Sequence, residues 1–329
     1  MCLKTHAFRM MVDQRSLMSI TGAVIESLPM SALLSARNVT KVYGQTVALN
    51  DVTLDVEAGT TGLLGANGAG KSTLMTLFLG IIQPTSGQFS VFGEDGGDPI
   101  HAHRLIGYSP EYECLPPNVS AAEFVMHMAR VSGLPRREAR TRATDVLRHV
   151  GLDEERYRPM GTYSTGMKQR AKLAQAIVHD PQLVLLDEPT AGLDPAGRQE
   201  MLELIARTGH EFGISMLISS HLMGDIERTC DRIIVLEAGG LLEQGEVSRY
   251  TTDTETLVLE FDEGIEAVAE ALSRWGIVSI FEGRALVIED ASPDDLDTIR
   301  DVVVETGALL HRLAPRAHSL SDIFRRPVQ

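Results

Sequence analysis

A glycine-rich loop between a strand and a helix constrains this chain more than any other feature. Residues 61–64 are strand-like, and residues 74–78 carry apolar side chains at helical spacing. The loop between them fits the pattern GxxxxGK[ST], in which backbone N–H groups close around anionic oxygens at a helix N-terminus. A flexible glycine turn is the alternative, but the order strand, loop, helix is what a phosphate-binding loop requires. The candidate nucleotide ligands are Gly65, Asn67, Gly68, Ala69, Gly70, Lys71, Ser72 and Thr73.

Two acidic residues follow a later apolar strand at residues 183–186. In open α/β sheets, ligands bind at the carboxyl ends of the strands, which is where Asp187 and Glu188 are expected. We expect Lys71 to reach the β- and γ-phosphates, and Ser72 and Asp187 to bind Mg²⁺. Glu188 is the candidate general base that polarises the attacking water. The acid pair could simply end a strand, but its combination with the phosphate loop favours hydrolysis.

Composition excludes several classes of protein. The net charge is −15 and there is no long run of Lys or Arg, so nucleic acid is not an expected partner. Cys2, Cys114 and Cys230 are scattered and form no CxxC motif, which argues against a disulfide framework or a zinc site. No segment approaches the roughly 18 apolar residues that span a bilayer, so any function at a membrane needs another chain to cross it.

The order of predicted elements indicates a mostly parallel α/β sheet with two additions. Runs at residues 33–42 and 47–56 predict an antiparallel pair, and residues 120–149 predict helices broken at Gly133-Leu134-Pro135. A helix is expected at residues 165–179, stopped by Asp180-Pro181. Further along, strands and a helix are expected at residues 183–186, 195–208, 214–218 and 232–236.

The chain is expected to divide into three parts. Residues 1–30 are an extension, either disordered or the result of a start codon assigned too early, and residues 31–250 form the nucleotide-binding domain. Residues 251–329 contain no lysine and have the order βαββαβ, which predicts a small ferredoxin-like α+β domain. Its predicted strands are residues 256–261, 277–281, 285–289 and 308–313, and its helices are residues 265–275, 294–305 and 320–325.

The segment Tyr163-Ser164-Thr165-Gly166-Met167 indicates the family. Following a phosphate loop and preceding the acid pair, it resembles the signature motif Leu-Ser-Gly-Gly-Gln of the ATP-binding subunit of an ABC transporter, a resemblance that covers about residues 33–248. It implies the P-loop NTPase fold with an antiparallel β subdomain and a helical subdomain. It also implies a head-to-tail dimer with a second copy or a homologous ATPase subunit, in which Ser164 and Gly166 contact the γ-phosphate of ATP held by the other subunit. An ordinary Ser-capped surface helix is the alternative.

The same resemblance assigns further residues. It implies that Tyr43 stacks on adenine, although a tyrosine there could equally be packing, and that His221 contacts the γ-phosphate. Residues 191–194, ending at Asp194, resemble the D-loop that crosses between subunits. Glu111 stands where the family usually has a glutamine, a ligand of Mg²⁺ or the attacking water. A carboxylate there adds negative charge beside the γ-phosphate, so we expect slower hydrolysis or tighter magnesium binding.

The expected function is an ATPase subunit of an ABC transporter. The accessory domain and the ending Ser319-Leu320-Ser321-Asp322-Ile323-Phe324-Arg325-Arg326 look similar to the type-2 export class, which implies integral membrane permease partners at the cytoplasmic face of the membrane. A soluble ABC ATPase of translation or DNA repair is the alternative, although no tandem repeat or sustained heptads support it. A GTP switch lacks its Asn-Lys-x-Asp motif, and a regulator that only binds nucleotide is disfavoured by Glu188. The sequence does not encode the transported substrate.

Overall fold

The computed structural model describes residues 32–96, 99–251, 253–289 and 291–317. By its contacts the chain divides into residues 1–31 and residues 32–329, and only the second unit includes described residues. The expected N-terminal extension and the expected helix at residues 320–325 lie outside the described residues. The boundary near residue 250 stays a prediction. No helix in the described ranges has the length and apolarity needed to cross a membrane.

The described residues form strands, α-helices and two short 3₁₀ turns. The strands are β1 (Leu34–Tyr43), β2 (Thr46–Val56), β3 (Thr60–Leu64), β4 (Ser86–Val91), β5 (Glu94–Asp95), β6 (Ile106–Ser109), β7 (Leu183–Asp187), β8 (Ser215–Ser220), β9 (Arg232–Glu237), β10 (Gly240–Glu246), β11 (Asp253–Glu263), β12 (Ile280–Glu282), β13 (Ala285–Ile288) and β14 (Leu309–Ala317). The helices are α1 (Lys71–Phe78), α2 (Pro99–Leu105), α3 (Ala121–Val131), α4 (Arg136–His149), α5 (Thr165–Ile177), α6 (Pro195–Phe212), α7 (Met223–Thr229), α8 (Ser248–Thr251), α9 (Ile265–Arg274) and α10 (Pro293–Thr306). Short 3₁₀ turns occupy Glu154–Tyr157 and Met160–Thr162.

The central sheet has the strand order β10-β9-β3-β8-β7-β6. Strands β9, β3, β8, β7 and β6 are parallel, and β10 pairs antiparallel with β9. Leu64 pairs with Ser220, and Asp187 pairs with Ser219. The strands that precede the phosphate loop, the acid pair and His221 therefore end at the same edge of the sheet, which confirms the mostly parallel sheet expected from the sequence.

The parallel strands of the central sheet are mostly buried, whereas the edge strand β10 is only partly buried. Burial on both faces explains the continuous apolar run of β7. Leu183 and Leu185 point into a core shared with α1 and the antiparallel sheet β2-β1-β4-β5. Val184 and Leu186 point into a second core, which the helices of the central part of the chain complete. Successive residues of β7 thus lie in opposite cores, as the two-residue repeat of a strand requires.

The helical subdomain follows β6. Ser120 begins α3 with a capping box, because its hydroxyl accepts from the backbone N–H of Glu123 while that carboxylate accepts from the backbone N–H of Ser120. The predicted break holds, since α3 ends before Gly133 and α4 begins after Pro135. Helix α5 ends at Ile177 rather than at residue 179, because the chain turns at Asp180, whose φ is 61°.

The C-terminal sheet has the order β12-β13-β11-β14, and all neighbours are antiparallel. With α9 after β11 and α10 after β13, this is the ferredoxin-like arrangement expected from the sequence. The sheet and its two helices enclose an apolar core of their own, including Leu259, Leu272 and Ile299. The predicted strand at 277–281 starts later, at Ile280, because the backbone N–H of Ile277 still donates to Leu272 O in the turn that closes α9.

Candidate active site

The phosphate loop can take its conformation only with glycine at its tightest positions. Gly70, immediately before α1, has a φ of 102°, and a Cβ atom there would stand 2.6 Å from Ala48 O. A Cβ atom on Gly65 would stand 2.5 Å from Leu236 O. The loop is therefore held against the ends of β2 and β9, so that the first turn of α1 faces the carboxyl edge of the sheet. Such a helix start presents free N–H groups and the positive end of the helix dipole to an anion.

Lys71 lies beneath this loop and holds it closed. Its ammonium donates to Gly65 O at 2.7 Å and to Ala66 O at 3.3 Å. It also lies 3.4 Å from Oε1 of Glu188, and both side chains are only 7% exposed. The ammonium therefore connects the loop to the carboxylate that follows β7. The loop is thus preformed, with its lysine among the groups that would meet the terminal phosphates.

Asp187 and Glu188 are organised by one hydroxyl group. Ser219 Oγ donates to Asp187 Oδ1 at 2.5 Å and accepts from the backbone N–H of Glu188 at 2.9 Å. Ser219 is fully buried, and the two acids are 2% and 5% exposed. Glu188 has a φ of 48°, which is uncommon outside glycine and turns the chain sharply at the end of β7. The sharp turn sends the side chain of Glu188 toward Lys71 while Asp187 stays in the strand.

His221 contacts the candidate base directly. Its Nδ1 lies 2.9 Å from Glu188 Oε2, and because a carboxylate only accepts, Nδ1 carries the hydrogen in this arrangement. The imidazole is 46% exposed, whereas Glu188 is buried. Glu188 is therefore held between Lys71 on one oxygen and His221 on the other, and the exposed side of the histidine remains available to a ligand.

Glu111 lies just beyond β6, whose neighbour in the sheet is β7. Its side chain is exposed, and its backbone carbonyl accepts from Lys172 at 3.1 Å. Burial, together with the negative charges of Asp187, Cys114 and Glu111, raises the pKa of Tyr108 to about 12. The carboxylates of Asp187 and Glu111 thus act on the same phenol, which fits a position for Glu111 at the edge of the site.

The signature segment begins α5. Ser164 is the N-cap, and its hydroxyl accepts from the backbone N–H of Met167 at 3.3 Å. The ring of Tyr163 is buried, and its hydroxyl donates to Glu155 O at 2.7 Å, which fixes the approach to the helix. Ser164 itself is exposed. The segment therefore has the form of an anion-binding helix start, although the capping bond alone would also suit an ordinary surface helix.

The signature helix is tied to the D-loop segment. Gln169 Nε2 donates to Ala191 O at 3.2 Å. A Cβ atom on Gly192, whose φ is 75°, would lie 3.3 Å from Thr165 Cγ2, and one on Gly166 would lie 3.8 Å from Leu193 Cδ2. Asp194 then begins α6 by accepting from the backbone N–H of Gly197 at 3.1 Å. This contact set links the signature to the residues that follow Glu188.

Tyr43 ends β1, where the β1–β2 hairpin approaches the phosphate loop through Ala48. The ring is 48% exposed, and the ammonium of Lys41 lies 5.0 Å from its centroid. The exposed ring is available for stacking on a flat ligand, with a cation on one side.

The structure brings the predicted residues into two groups. The first surrounds Gly65, Lys71, Asp187, Glu188 and His221. The second consists of the start of α5 and the D-loop segment, and among the described residues no hydrogen bond or ion pair joins it to the phosphate loop. Sequence reasoning missed Ser219, although its signal was present as a hydroxyl residue at the end of the strand that leads to His221.

Comparisons with known proteins agree with this geometry. The sequence model of the family described as "ABC transporter" matches residues 49–191. The bacitracin transport ATP-binding protein BcrA of Enterococcus faecalis is 37% identical over 305 residues, which cover 90% of this chain and 96% of that protein. The chain belongs to the ATP-binding proteins of ABC transporters. Similarity over this length extends the relationship beyond the phosphate loop and its neighbours.

This ABC protein also resembles relatives over about two thirds of its length. The Nod factor export ATP-binding protein I of Burkholderia orbicola (strain AU 1054) is 37% identical over 220 residues, which cover 65% of this chain and 71% of that protein. The solved structure of cbiO1 from Clostridium perfringens, part of the ABC transporter complex cbiONQ, matches with a TM-score of 0.61 and 30% identity, covering 66% of this chain and 90% of that one. The P-loop NTPase fold is thus confirmed, and this ABC protein is an ATPase that binds ATP and serves transport.

Proposed function

We propose that this chain powers an ABC exporter, and that it hydrolyses ATP when paired head to tail with a second copy or with a homologous ATPase subunit. One observation carries the proposal: the loop before α1 and the start of α5 both have the form of an anion site, and no hydrogen bond or ion pair joins them within the described part of the chain. ATP held by the loop of one subunit would be completed by Ser164 and Gly166 of the other. The D-loop residue Asp194 lies on the same surface as the signature.

The residues around the loop fit ATP. Backbone N–H groups of residues 65–73 surround the phosphates. The ammonium of Lys71, which donates to Gly65 O and Ala66 O, donates to the β- and γ-phosphate oxygens instead. The half-exposed ring of Tyr43 stacks on adenine. Since Lys71 is already held beside Glu188, ATP binding needs only a local exchange of partners rather than construction of the site.

The donor set also fits Mg²⁺. This ion keeps several waters and is held by one or two carboxylates together with substrate phosphates, so it needs no cluster of acids. No group of three or more His, Cys, Asp or Glu residues suited to a metal occurs among the described residues. Asp187, the hydroxyl of Ser72 and the carboxylate of Glu111 would hold it. When bound, Mg²⁺ neutralises charge on the phosphates.

Glu188 is the proposed general base. With ATP bound, Lys71 turns to the phosphates and leaves one oxygen of Glu188 free to accept a proton from water in line with the γ-phosphate. His221 keeps the other oxygen in place, and its exposed edge faces the phosphate. The strained backbone at Glu188 is consistent with a functional constraint, since such conformations persist where surrounding structure enforces them.

The export direction and the membrane partners are supported by relatives and by the C-terminal region. One relative is named for Nod factor export and another for bacitracin transport. We therefore propose integral membrane permease partners, with this subunit bound at the cytoplasmic face of the membrane. No nucleic acid is proposed as a partner, in keeping with the net charge of −15.

Two experiments test this proposal. The first is Glu188→Gln with ATP and Mg²⁺: hydrolysis should fall to background and a stable dimer should form in size-exclusion chromatography with light scattering. Glu203→Gln, an exposed change on α6, is the matched control and should hydrolyse normally. A Glu188→Gln protein that stays monomeric would contradict the head-to-tail pair.

The second experiment is affinity capture of the native protein from detergent-solubilised membranes. Recovery of a polytopic membrane protein supports the transport role. Recovery of ribosomes or DNA in its place would favour the alternative of a soluble ABC ATPase in translation or repair.

A further inference from the structure

The C-terminal sheet carries an exposed apolar patch at one end. Trp275 is 69% exposed, Val278 79% and Ile280 48%. Together with Ile277 they line a cavity of about 410 Å³, and we call these four residues the tryptophan patch. Apolar surface left in water is unfavourable by roughly 25 cal/mol per Å². A large aromatic and two large aliphatic side chains exposed together indicate that something covers them.

The rim of the tryptophan patch is acidic. Glu289 and Asp295 line the same cavity. Glu289 is exposed, while Asp295, in the first turn of α10, accepts from the backbone N–H and the hydroxyl of Ser292 at 2.7 and 2.8 Å. Acidic residues outnumber arginines from residue 251 onward, and lysine is absent there. The complementary ligand is therefore a peptide with apolar side chains beside positive charge, and a second acidic domain of the same kind is disfavoured.

The strand register brings the end of the sheet domain to this patch. Pro315 of β14 pairs with Leu257 of β11, which pairs with Ile288 of β13. One residue away, Val287 pairs with Ile280, the first residue of β12. The chain therefore leaves β14 at the same end of the sheet at which the tryptophan patch lies.

The segment that follows β14 has the required chemistry. Residues 318–329 include Leu320, Ile323 and Phe324, followed directly by Arg325 and Arg326. We infer that this C-terminal segment binds the tryptophan patch of its own chain. Its apolar side chains cover the patch, and its arginines lie toward the acidic rim.

The segment is long enough to reach the patch. Strands β14 and β12 are three strand spacings apart, which is about 14 Å. A dozen extended residues span about 40 Å. The chain can therefore cross the end of the sheet and still place Phe324 and the two arginines on the patch. Binding within one chain also raises the effective concentration of the segment into the millimolar range, so modest contacts suffice.

Trp275 is the only tryptophan of the chain and reports on the patch directly. We would compare the full chain with a chain that ends at Ala317, exciting tryptophan alone. Loss of the segment should shift the emission to longer wavelength and make acrylamide quenching more efficient. A synthetic peptide of residues 318–329, added to the shortened chain, should reverse both changes and saturate.

Point variants separate the apolar and the charged contributions. In the peptide, Phe324→Ala should weaken binding about tenfold, since it removes a buried aromatic side chain. Exposed charge pairs contribute less, so Glu289→Lys in the protein should weaken binding of the peptide a few-fold. Val304→Ser changes an exposed apolar residue at the far end of α10 and should alter neither emission nor binding.

The outcomes decide the inference. If the shortened chain folds and its emission equals that of the full chain, the segment does not cover Trp275 and the inference is wrong. If the shortened chain loses its circular dichroism signal, it is unfolded, and the full-length variants Phe324→Ala and Arg325→Glu are measured instead. Tryptophan emission equal to that of the natural chain in both variants overturns the inference. Emission that depends on protein concentration would place the segment on a second copy and would overturn binding within one chain.

Discussion

Ser219→Ala is the change that best tests how the acid pair is held. The serine hydroxyl donates to the Asp187 carboxylate at 2.5 Å and accepts from the backbone N–H of Glu188 at 2.9 Å, with no exposure to solvent. Alanine removes both bonds without adding volume. The variant therefore loses a hydrogen bond to a charged group and leaves a buried N–H without its acceptor.

The size of the effect follows from these two bonds. A hydrogen bond to a charged group contributes about 1.5–3 kcal/mol, and a buried polar group without a partner costs about 1–3 kcal/mol. Because the two bonds share one atom they do not add fully, so we expect a loss of about 3 kcal/mol in the free energy of unfolding, or roughly 5 °C in Tm. Removing a residue that orients a metal ligand typically lowers metal affinity or activity about 10- to 100-fold. We expect an activity loss of that size with a higher Mg²⁺ requirement.

The assay combines calorimetry with ATP hydrolysis over a Mg²⁺ titration. Ser220→Ala is the matched control, since Ser220 is the next residue and is 1% exposed. Among the described residues its hydroxyl bonds only with the backbone of Leu222, at 3.0 and 3.4 Å. The control should lose less stability and keep its Mg²⁺ dependence. If Ser219→Ala matches Ser220→Ala in both measurements, Ser219 does not position the acid pair and the reasoning is refuted.

Three further changes test other parts of the site and the core. Gly70→Ala should lose ATP binding and about 2 kcal/mol or more of stability in denaturant titration, because its φ is 102° and the new Cβ would meet Ala48 O at 2.6 Å. Glu111→Gln removes a negative charge beside the proposed metal, so turnover and the half-maximal Mg²⁺ concentration should both rise a few-fold in a steady-state assay. Burial lowers the pKa of His179, so as pH drops below about 6.5 the unfolded chain takes up a proton before the folded chain does, and stability falls. His179→Gln should therefore lose less stability between pH 7.5 and pH 5.5, as urea midpoints at the two pH values would measure.

Each of these has an outcome that counts against it. Gly68→Ala, at a φ of 85° with no atom within 4 Å of the new Cβ, carries the backbone strain alone, so equal losses in Gly68→Ala and Gly70→Ala would remove the steric argument. Unchanged Mg²⁺ dependence and turnover in Glu111→Gln would mean that Glu111 lies outside the site. His179 Nε2 is buried and finds no hydrogen-bond partner among the described residues. If the stability of His179→Gln falls with pH as steeply as that of the natural chain, another group is responsible for the loss.

The sequence predicts the parallel sheet because local patterns decide it. When an apolar run like that of β7 occurs together with a glycine loop, the two indicate a buried parallel strand and a strand–loop–helix unit. The structure confirms these elements at the expected positions. The ferredoxin-like order of the C-terminal sheet is confirmed for the same reason, since apolar alternation and helical spacing change cleanly along that region.

What the sequence does not predict depends on contacts between distant residues. Ser219 meets the acid pair only because β7 and β8 are neighbours in register, and no spacing along the chain encodes that pairing. Strand β10 was not predicted, because its residues Gly240–Glu246 carry few apolar side chains and depend on antiparallel pairing with β9. The late start of β12 is likewise set by the turn that closes α9. The roles of Tyr43, Glu111 and Asp194 stay predictions.

The bond from Gln169 to Ala191 O gives the two faces of this subunit a common mechanical path. Ala191 lies three residues after Glu188, and Gln169 lies in the helix that begins at the signature. In the proposed pair, the start of α5 contacts the nucleotide of the other site. A change in the position of Glu188 would therefore reach that site through Ala191 and Gln169. Hydrolysis of the two ATP molecules in such a pair would therefore be coupled, because a short hydrogen-bonded path inside each subunit joins the base of one site to the helix start of the other.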